Sequence, residues 1–344
     1  MKCINKMWNF FELAGGACSK LVKKGAVLVL TGVLVFSLTA CGKEEIPTSY
    51  DIYETSTTYG ILNAETAEDV KFFADDLCVT DTSDFGTDAV DSYIAWAAGV
   101  FNGATNEVTY SQSIHEHMFP ASTTKILTAL CVLKYGDLDK KVIVSDLACD
   151  QESDSSVANL RPGDEMTERQ LLYGLMLRSG NDAAIALAEA VSGDVESFMT
   201  LMNNEALSLG ATNSHFVTPN GLHDDDHYTT VYDLYLITKE ALKYQEFVDM
   251  IHTASYDVVY TDSTGAPQQM TWNNTNRYLL GTAEMPEGFD VIGGKTGTTG
   301  QAMYCLVLYS TNEAGQPIIS IVLGADSAVN LYVFMNEILE GFGH

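Results

Sequence analysis

Apolar residues recur at helical spacing along much of the chain. Ile126, Ala129, Leu130 and Leu133 stand at i, i+3, i+4 and i+7, the stripe that a helix with one buried face requires. Proline is favoured at a first helical turn, where its missing N–H would have no partner anyway. A helix is therefore predicted to start within Pro120-Ala121-Ser122-Thr123-Thr124-Lys125. Upstream, residues 92–101 and 107–111 flank Asn102-Gly103 and predict a β-hairpin at one edge of a sheet. Downstream of Tyr135, Gly136-Asp137-Leu138-Asp139 is a turn, and the segment through Asp164 is rich in loop residues.

Thr167-Glu168-Arg169-Gln170 fits a capping box and predicts a helix to about Leu177. Ser179-Gly180-Asn181 interrupts it before 182–191 resumes, and further helices are expected over 195–209, closed by Gly210, and over 229–244. Strands follow. Residues 256–261 and 268–272 frame Gly265-Ala266-Pro267 as a short hairpin, and 289–297, 303–310 and 318–324 read as longer strands. The last two are nearly unbroken apolar runs, the pattern of strands covered on both faces. Residues 327–342 should form a closing helix on that sheet, and no internal repeat is visible. The whole reads as a mixed α/β (α+β) domain over 88–344, with a mainly α-helical insertion at about 137–244.

Ahead of the domain, Lys20, Lys23 and Lys24 precede an uncharged run from Gly25 to Ala40. That run is shorter than the roughly 18 residues of a spanning helix, so 1–40 reads as a secretion signal. It ends in Leu38-Thr39-Ala40-Cys41-Gly42, which resembles the lipobox of bacterial lipoproteins. The resemblance implies a lipid tether on Cys41, hence a protein held on the extracytoplasmic face of the bacterial membrane. Residues 41–87, rich in Thr, Ser, Asp and Glu, read as a polar stalk, with 70–78 able to dock locally.

The chain of 344 residues carries a formal net charge of −28. The leader holds five lysines against one glutamate, so the acidic excess lies downstream of it. Such a surface repels phosphate backbones and argues against nucleic-acid binding. Outside the leader only Cys78, Cys131, Cys149 and Cys305 remain, at spacings that match no metal site. Cys131 and Cys305 lie in apolar segments and are expected in the core; one disulfide stays open. His223 and Asp224-Asp225-Asp226-His227 match no standard ligand spacing either, and neither metal nor cofactor is expected.

The candidate chemistry lies in three short segments. Ser122 and Lys125, three residues apart, share a helix face and are a candidate nucleophile and base. Lys125 serves as a base only when neutral, which burial and a second cation such as Lys295 would favour. Ser179 can relay a proton between Lys125 and a leaving amine, and Asn181 can orient the lysine or bind a substrate amide. Lys295-Thr296-Gly297 opens an apolar strand along which a peptide can lie, with Thr296 and Thr298 placed for a terminal carboxylate. The N–H groups of Ser122 and Thr298 are the candidate oxyanion hole. Lys295 can hold a substrate carboxylate or supply charge near Lys125. Taken singly, each segment has a plain explanation as a cap or a turn; their order along one chain gives them weight.

That order resembles the low-molecular-mass penicillin-binding proteins, the serine D-alanyl-D-alanine carboxypeptidases of the peptidase S11 type. Residues 120–125, 171–189, Asn220-Gly221-Leu222 through His227-Tyr228-Thr229-Thr230, Asn274-Thr275-Asn276-Arg277 and 294–299 all look like family segments. The resemblance implies a β-lactamase/DD-peptidase-like fold: an antiparallel sheet flanked by helices, an adjoining helical region, and a site between them. It implies removal of the terminal D-alanine from peptidoglycan stem pentapeptides through an acyl-enzyme on Ser122. β-Lactam antibiotics would be covalent inhibitors at the same serine. Many members carry a C-terminal β-rich domain and anchoring helix; here the anchor is expected at the other end. A class A β-lactamase would share the fold and motifs, but no Glu-x-x-Leu-Asn segment lies between Ser122 and Lys295. A binding or sensor module acylated without turnover is the remaining alternative.

Overall fold

The computed structural model describes residues 74–344. The predicted signal segment, Cys41 and most of the predicted stalk lie outside the described residues. In order, the chain forms β1 (Ala97–Asn102), β2 (Glu107–Gln112), a 3₁₀ turn (Ala121–Thr124) and α1 (Lys125–Tyr135). Next come β3 (Lys141–Ile143), α2 (Asp146–Cys149), β4 (Glu165–Thr167), α3 (Glu168–Leu177), α4 (Asn181–Ser192) and α5 (Val195–Ser208). The remainder is α6 (Val231–Ala241), α7 (Gln245–His252), β5 (Ser255–Thr261), β6 (Pro267–Asn273), β7 (Phe289–Thr299), β8 (Met303–Asn312), β9 (Pro317–Ala325) and α8 (Ala328–Phe342).

Five strands make the main sheet in the order β2-β1-β9-β8-β7, every pair antiparallel. Successive side chains on a strand point to opposite faces, and the sheet uses both. Val100, Leu306, Leu308 and Val322 face α8, meeting Leu331, Phe334, Met335 and Ile338. Phe101, Val307, Ile321 and Leu323 face the helices, meeting Ile126, Leu130, Leu234 and Tyr235. This two-sided burial explains the nearly continuous apolar runs of β8 and β9. Phe101 stacks on Tyr235 with ring centroids 4.2 Å apart, joining β1 to α6. Truncating a side chain such as Ile321 to alanine in such a core costs roughly 2–5 kcal/mol.

The hairpin lies at the edge, as expected, but its first strand starts at Ala97; residues Ser92–Ile94 form a 3₁₀ turn instead. The capping box is present, with Gln170 N–H donating to Thr167 Oγ1 and Thr167 N–H to Gln170 Oε1. Ser327 caps α8 and Thr230 caps α6 by accepting from the N–H groups of Asn330 and Asp233. Helix α7 was not foreseen.

Two expectations need correction. The insertion is not helical throughout: β3, inside the segment read as loop, and β4, directly after it, pair with the β5-β6 hairpin in a second antiparallel sheet ordered β3-β4-β5-β6. These strands are three residues each, too short for an alternation to show. Residues 74–87 are also not free stalk. Cys78 is fully buried, its N–H donates to Tyr235 Oη at 2.9 Å, and Phe85 pairs with Ser111. Leu77 and Cys78 pack on the core within the stretch expected to dock, and the docking continues to Phe85, which the polar composition beyond Cys78 conceals. Among the described residues no helix is long and apolar enough to cross a membrane.

Candidate active site

Ser122 sits on the 3₁₀ turn rather than inside the helix proper, with Lys125 opening α1. In a 3₁₀ geometry residues i and i+3 eclipse one another, which brings the two side chains together. Lys125 Nζ lies 2.9 Å from Ser122 Oγ. The turn is held by Thr123 Oγ1 donating to the Pro120 carbonyl at 2.7 Å. Ala121 takes φ +47°, an uncommon conformation for a side-chain-bearing residue that turns the chain into α1.

Lys125 is wholly buried and has two further partners, Asn181 Oδ1 at 2.8 Å and the Asn220 carbonyl at 2.6 Å. A neutral amine has two N–H donors and one lone pair. In that form the donors would match the two oxygens and leave the lone pair for the Ser122 hydroxyl proton. Burial, followed by the nearby charge of Lys295, pushes the Lys125 pKa well below its ordinary value. The direction of that shift favours the neutral form that a base requires.

Asn181 reaches Lys125 because α3 stops at Leu177 and α4 starts at Asn181 itself. Between them Ser179 adopts φ +58°. Its hydroxyl accepts from Lys295 Nζ at 3.0 Å. Sequence reasoning placed Ser179 as a relay from Lys125; its hydrogen-bond partner is Lys295, because β7 brings that lysine across the break. Lys295 is also buried, and desolvation lowers its pKa to about 7. Its Nζ donates again to the Thr296 carbonyl at 2.8 Å.

Gly297 brings β7 against the nucleophile turn. A Cβ there would lie 3.0 Å from the Pro120 carbonyl oxygen and from the Ser122 nitrogen, tighter than side chains normally pack. Thr296 and Thr298 follow on the strand; Thr296 Oγ1 hydrogen-bonds Thr275 Oγ1 at 2.6 Å. All eight residues expected in the site, Ser122, Lys125, Ser179, Asn181, Lys295, Thr296, Gly297 and Thr298, thus meet at the junction of the main sheet and the helical region.

Two cavities meet at Ser122. One, of about 560 Å³, is bounded by Glu152, Asn181, Asn220, His223 and Thr299. The other, of about 290 Å³, lies toward Thr275, Arg277, Thr296 and Tyr332. Ser156 lines both cavities, and the segment that follows it is held in place: Asp182 accepts from the N–H groups of Ala158 and Leu160, and Trp272 Nε1 donates to the Ala158 carbonyl at 2.9 Å.

The D-alanyl-D-alanine carboxypeptidase family, peptidase S11, matches residues 86–327. The chain belongs to this family. It is 36% identical over 228 residues to the D-alanyl-D-alanine carboxypeptidase DacF of Bacillus subtilis (strain 168), a match covering 65% of this chain and 55% of that protein. It is 36% identical over 237 residues to the D-alanyl-D-alanine carboxypeptidase of Streptomyces sp. (strain K15), covering 66% and 79%. The crystal structure of the Streptomyces K15 DD-transpeptidase superposes with a TM-score of 0.67 at 34% identity, over 73% of this chain and 98% of that one. The match thus spans about half the length of DacF and most of the K15 enzyme. The β-lactamase/DD-peptidase-like fold expected from the motifs is the fold observed.

Several residues of this S11 site had been assigned no role from sequence. Asn220 contributes through its main-chain oxygen, which no side-chain pattern reveals. Arg277 lines the smaller cavity, its guanidinium stacked over Tyr332 and donating to the Ala328 carbonyl. Asp182 follows directly after Asn181, and its burial was the missing clue. Two acids between Ser122 and Lys295, Glu165 and Glu168, are engaged elsewhere: Glu165 pairs with Lys141, and Glu168 accepts from the Asp137 N–H.

Proposed function

We propose that this chain is a serine D-alanyl-D-alanine carboxypeptidase acting on peptidoglycan stem pentapeptides, and that β-lactams acylate the same serine. The buried Lys125 amine 2.9 Å from Ser122 Oγ, its pKa pushed well down by desolvation, carries the reading. Lys125 takes the hydroxyl proton as Oγ attacks the carbonyl of the penultimate D-alanine. The oxyanion that forms is met by the N–H groups of Ser122 and Thr298. As the C–N bond breaks, the proton held by Lys125 passes through Ser179, whose hydroxyl is hydrogen-bonded to Lys295, to the leaving nitrogen, and Lys125 is neutral again. Free D-alanine departs, leaving an ester on Ser122. Water, deprotonated by Lys125, then attacks that ester, and as the C–Oγ bond breaks Lys125 returns the proton to Ser122 Oγ.

The smaller cavity suits the terminal D-alanine. Thr296, Thr298 and Arg277 line it, a set of hydroxyls and a cation fit for a carboxylate. The remainder of the stem would lie along β7 and in the larger cavity. Release of D-alanine from a pentapeptide ending in D-Ala-D-Ala, with Ser122→Ala as control, tests the activity. No release above that control refutes it, and a penicillin adduct without release would favour a binding module.

For the leader, we propose lipid attachment at Cys41 and a place on the outer face of the cell membrane, supported by Leu38-Thr39-Ala40-Cys41-Gly42 after an apolar run. Two or more acyl chains suffice for durable anchoring. Cys41→Ala should release the protein from the membrane fraction; unchanged membrane association would refute the tether.

A further inference from the structure

His227 is buried in the domain and takes no part in the chemistry above. Its ring stands between two segments that the reaction depends on. Nδ1 accepts from the N–H groups of Val217 and Thr218, at 3.1 and 3.3 Å. Nε2 lies 2.9 Å from Thr124 Oγ1. Because Nδ1 faces two donors, the ring proton sits on Nε2 and is donated to Thr124, the residue immediately before Lys125. Phe216 closes the ring's flank edge-on, with centroids 5.5 Å apart.

The segment it grips, 217–222, delivers the Asn220 carbonyl to Lys125. Thr128 Oγ1 donates to the Pro219 carbonyl at 2.6 Å, a second tie between this loop and α1. Gly221 lies so close to the turn that a Cβ would stand 1.9 Å from the Ala121 carbonyl oxygen. The loop and the turn are therefore packed at contact, and small displacements at the loop reach the amine directly.

We propose that His227 is a positioning residue for the Ser122 reaction: as a neutral imidazole it ties the 217–222 loop to the nucleophile turn and so holds the Asn220 carbonyl on Lys125. The inference rests on the serine-enzyme reading above. A proton on Nδ1 would face two N–H donors and break the tie. Burial keeps the ring uncharged down to about pH 4, with Asp224 favouring charge and His215, His223 and Lys125 opposing it.

The test is acylation of the full chain by benzylpenicillin, followed as a rate constant against pH, with thermal midpoints measured alongside. Thr124→Val removes only the acceptor at nearly equal volume. His227→Asn keeps an acceptor near Val217 and Thr218 but does not reach Thr124. Each should slow acylation roughly tenfold or more, since ångström shifts of a reacting group cost at least that much. Water admitted to the amine should also raise the Lys125 pKa and move the acid limb of the profile to higher pH, which a general loss of stability would not do. The double variant should be no slower than the slower single one, because both break the same hydrogen bond. His227→Gln, whose amide nitrogen reaches Thr124, should recover part of the rate. Acylation of Thr124→Val within twofold of wild type, or losses that multiply in the double variant, would overturn the proposal. A wild type that takes no adduct at Ser122 would sink the enzymatic reading and this one together.

Discussion

Lys295 Nζ donates to Ser179 Oγ at 3.0 Å, joining two residues 116 positions apart in the chain. This contact places a second amine beside the first, and the charge of Lys295 contributes to the lowered pKa of Lys125. Removing it has a defined sign. Lys295→Gln should let the Lys125 pKa rise, so the acid limb of the acylation rate moves to higher pH. A limb that stays in place would show that burial alone sets the basicity.

Lys125→Ala should leave penicillin acylation about 10²–10⁴-fold slower, the range for loss of a general base. Stopped-flow or mass-spectrometric labelling at Ser122 measures it. A variant within tenfold of wild type would contradict the assigned base.

Gly221→Ala places a methyl 1.9 Å from the Ala121 carbonyl oxygen on a backbone already at φ +82°. Strain of this kind costs on the order of 1–3 kcal/mol, and overpacking adds to it. Urea unfolding should report a loss of about 2 kcal/mol or more, together with loss of acylation. Full stability in this variant would mean that the loop and turn are not in contact.

Trp272→Phe should remove the hydrogen bond to Ala158 while preserving most of the buried ring. The expected cost is about 1 kcal/mol, with a higher KM for the pentapeptide, because the segment carrying Ser156 into both cavities loses one of its ties. An unchanged KM would separate the second sheet from substrate binding.

Glu168 gives a stability signature remote from the reaction. Desolvation raises its pKa, against opposition from the Asp137 N–H and Lys140. A carboxyl with a raised folded-state pKa stabilises the fold fully below its unfolded value, near 4.3, and loses that contribution as pH rises through the folded value. Between pH 4 and 7 the thermal midpoint of Glu168→Gln should therefore gain on wild type. Parallel midpoints over that range would refute the assignment.

Much of the site was legible because its side chains lie in short motifs whose spacing is set by one turn of helix or one strand. Ser122 with Lys125, and Lys295 through Thr298, needed only local geometry. The partner of Ser179 did not follow, since it depends on where a strand 116 residues away crosses a helix break. The five long strands and most helices announced themselves by period and caps, while β3 and β4 are stabilised by neighbours and carry no pattern of their own. Asn220 and His227 belonged to a recognisable segment, yet their contributions come from a carbonyl and from a ring tautomer. Both emerge only once the loop is folded onto the turn.

The reactivity of Lys125 is a product of enclosure. In an extended chain the same amine is an ordinary hydrated cation, and Ser122 is a bland alcohol. Nothing need mask the pair during synthesis, because the conformation itself is the activating event. Modest loosening around residue 220 should likewise extinguish labelling by penicillin before any spectroscopic sign of unfolding, making that label a gauge of local order.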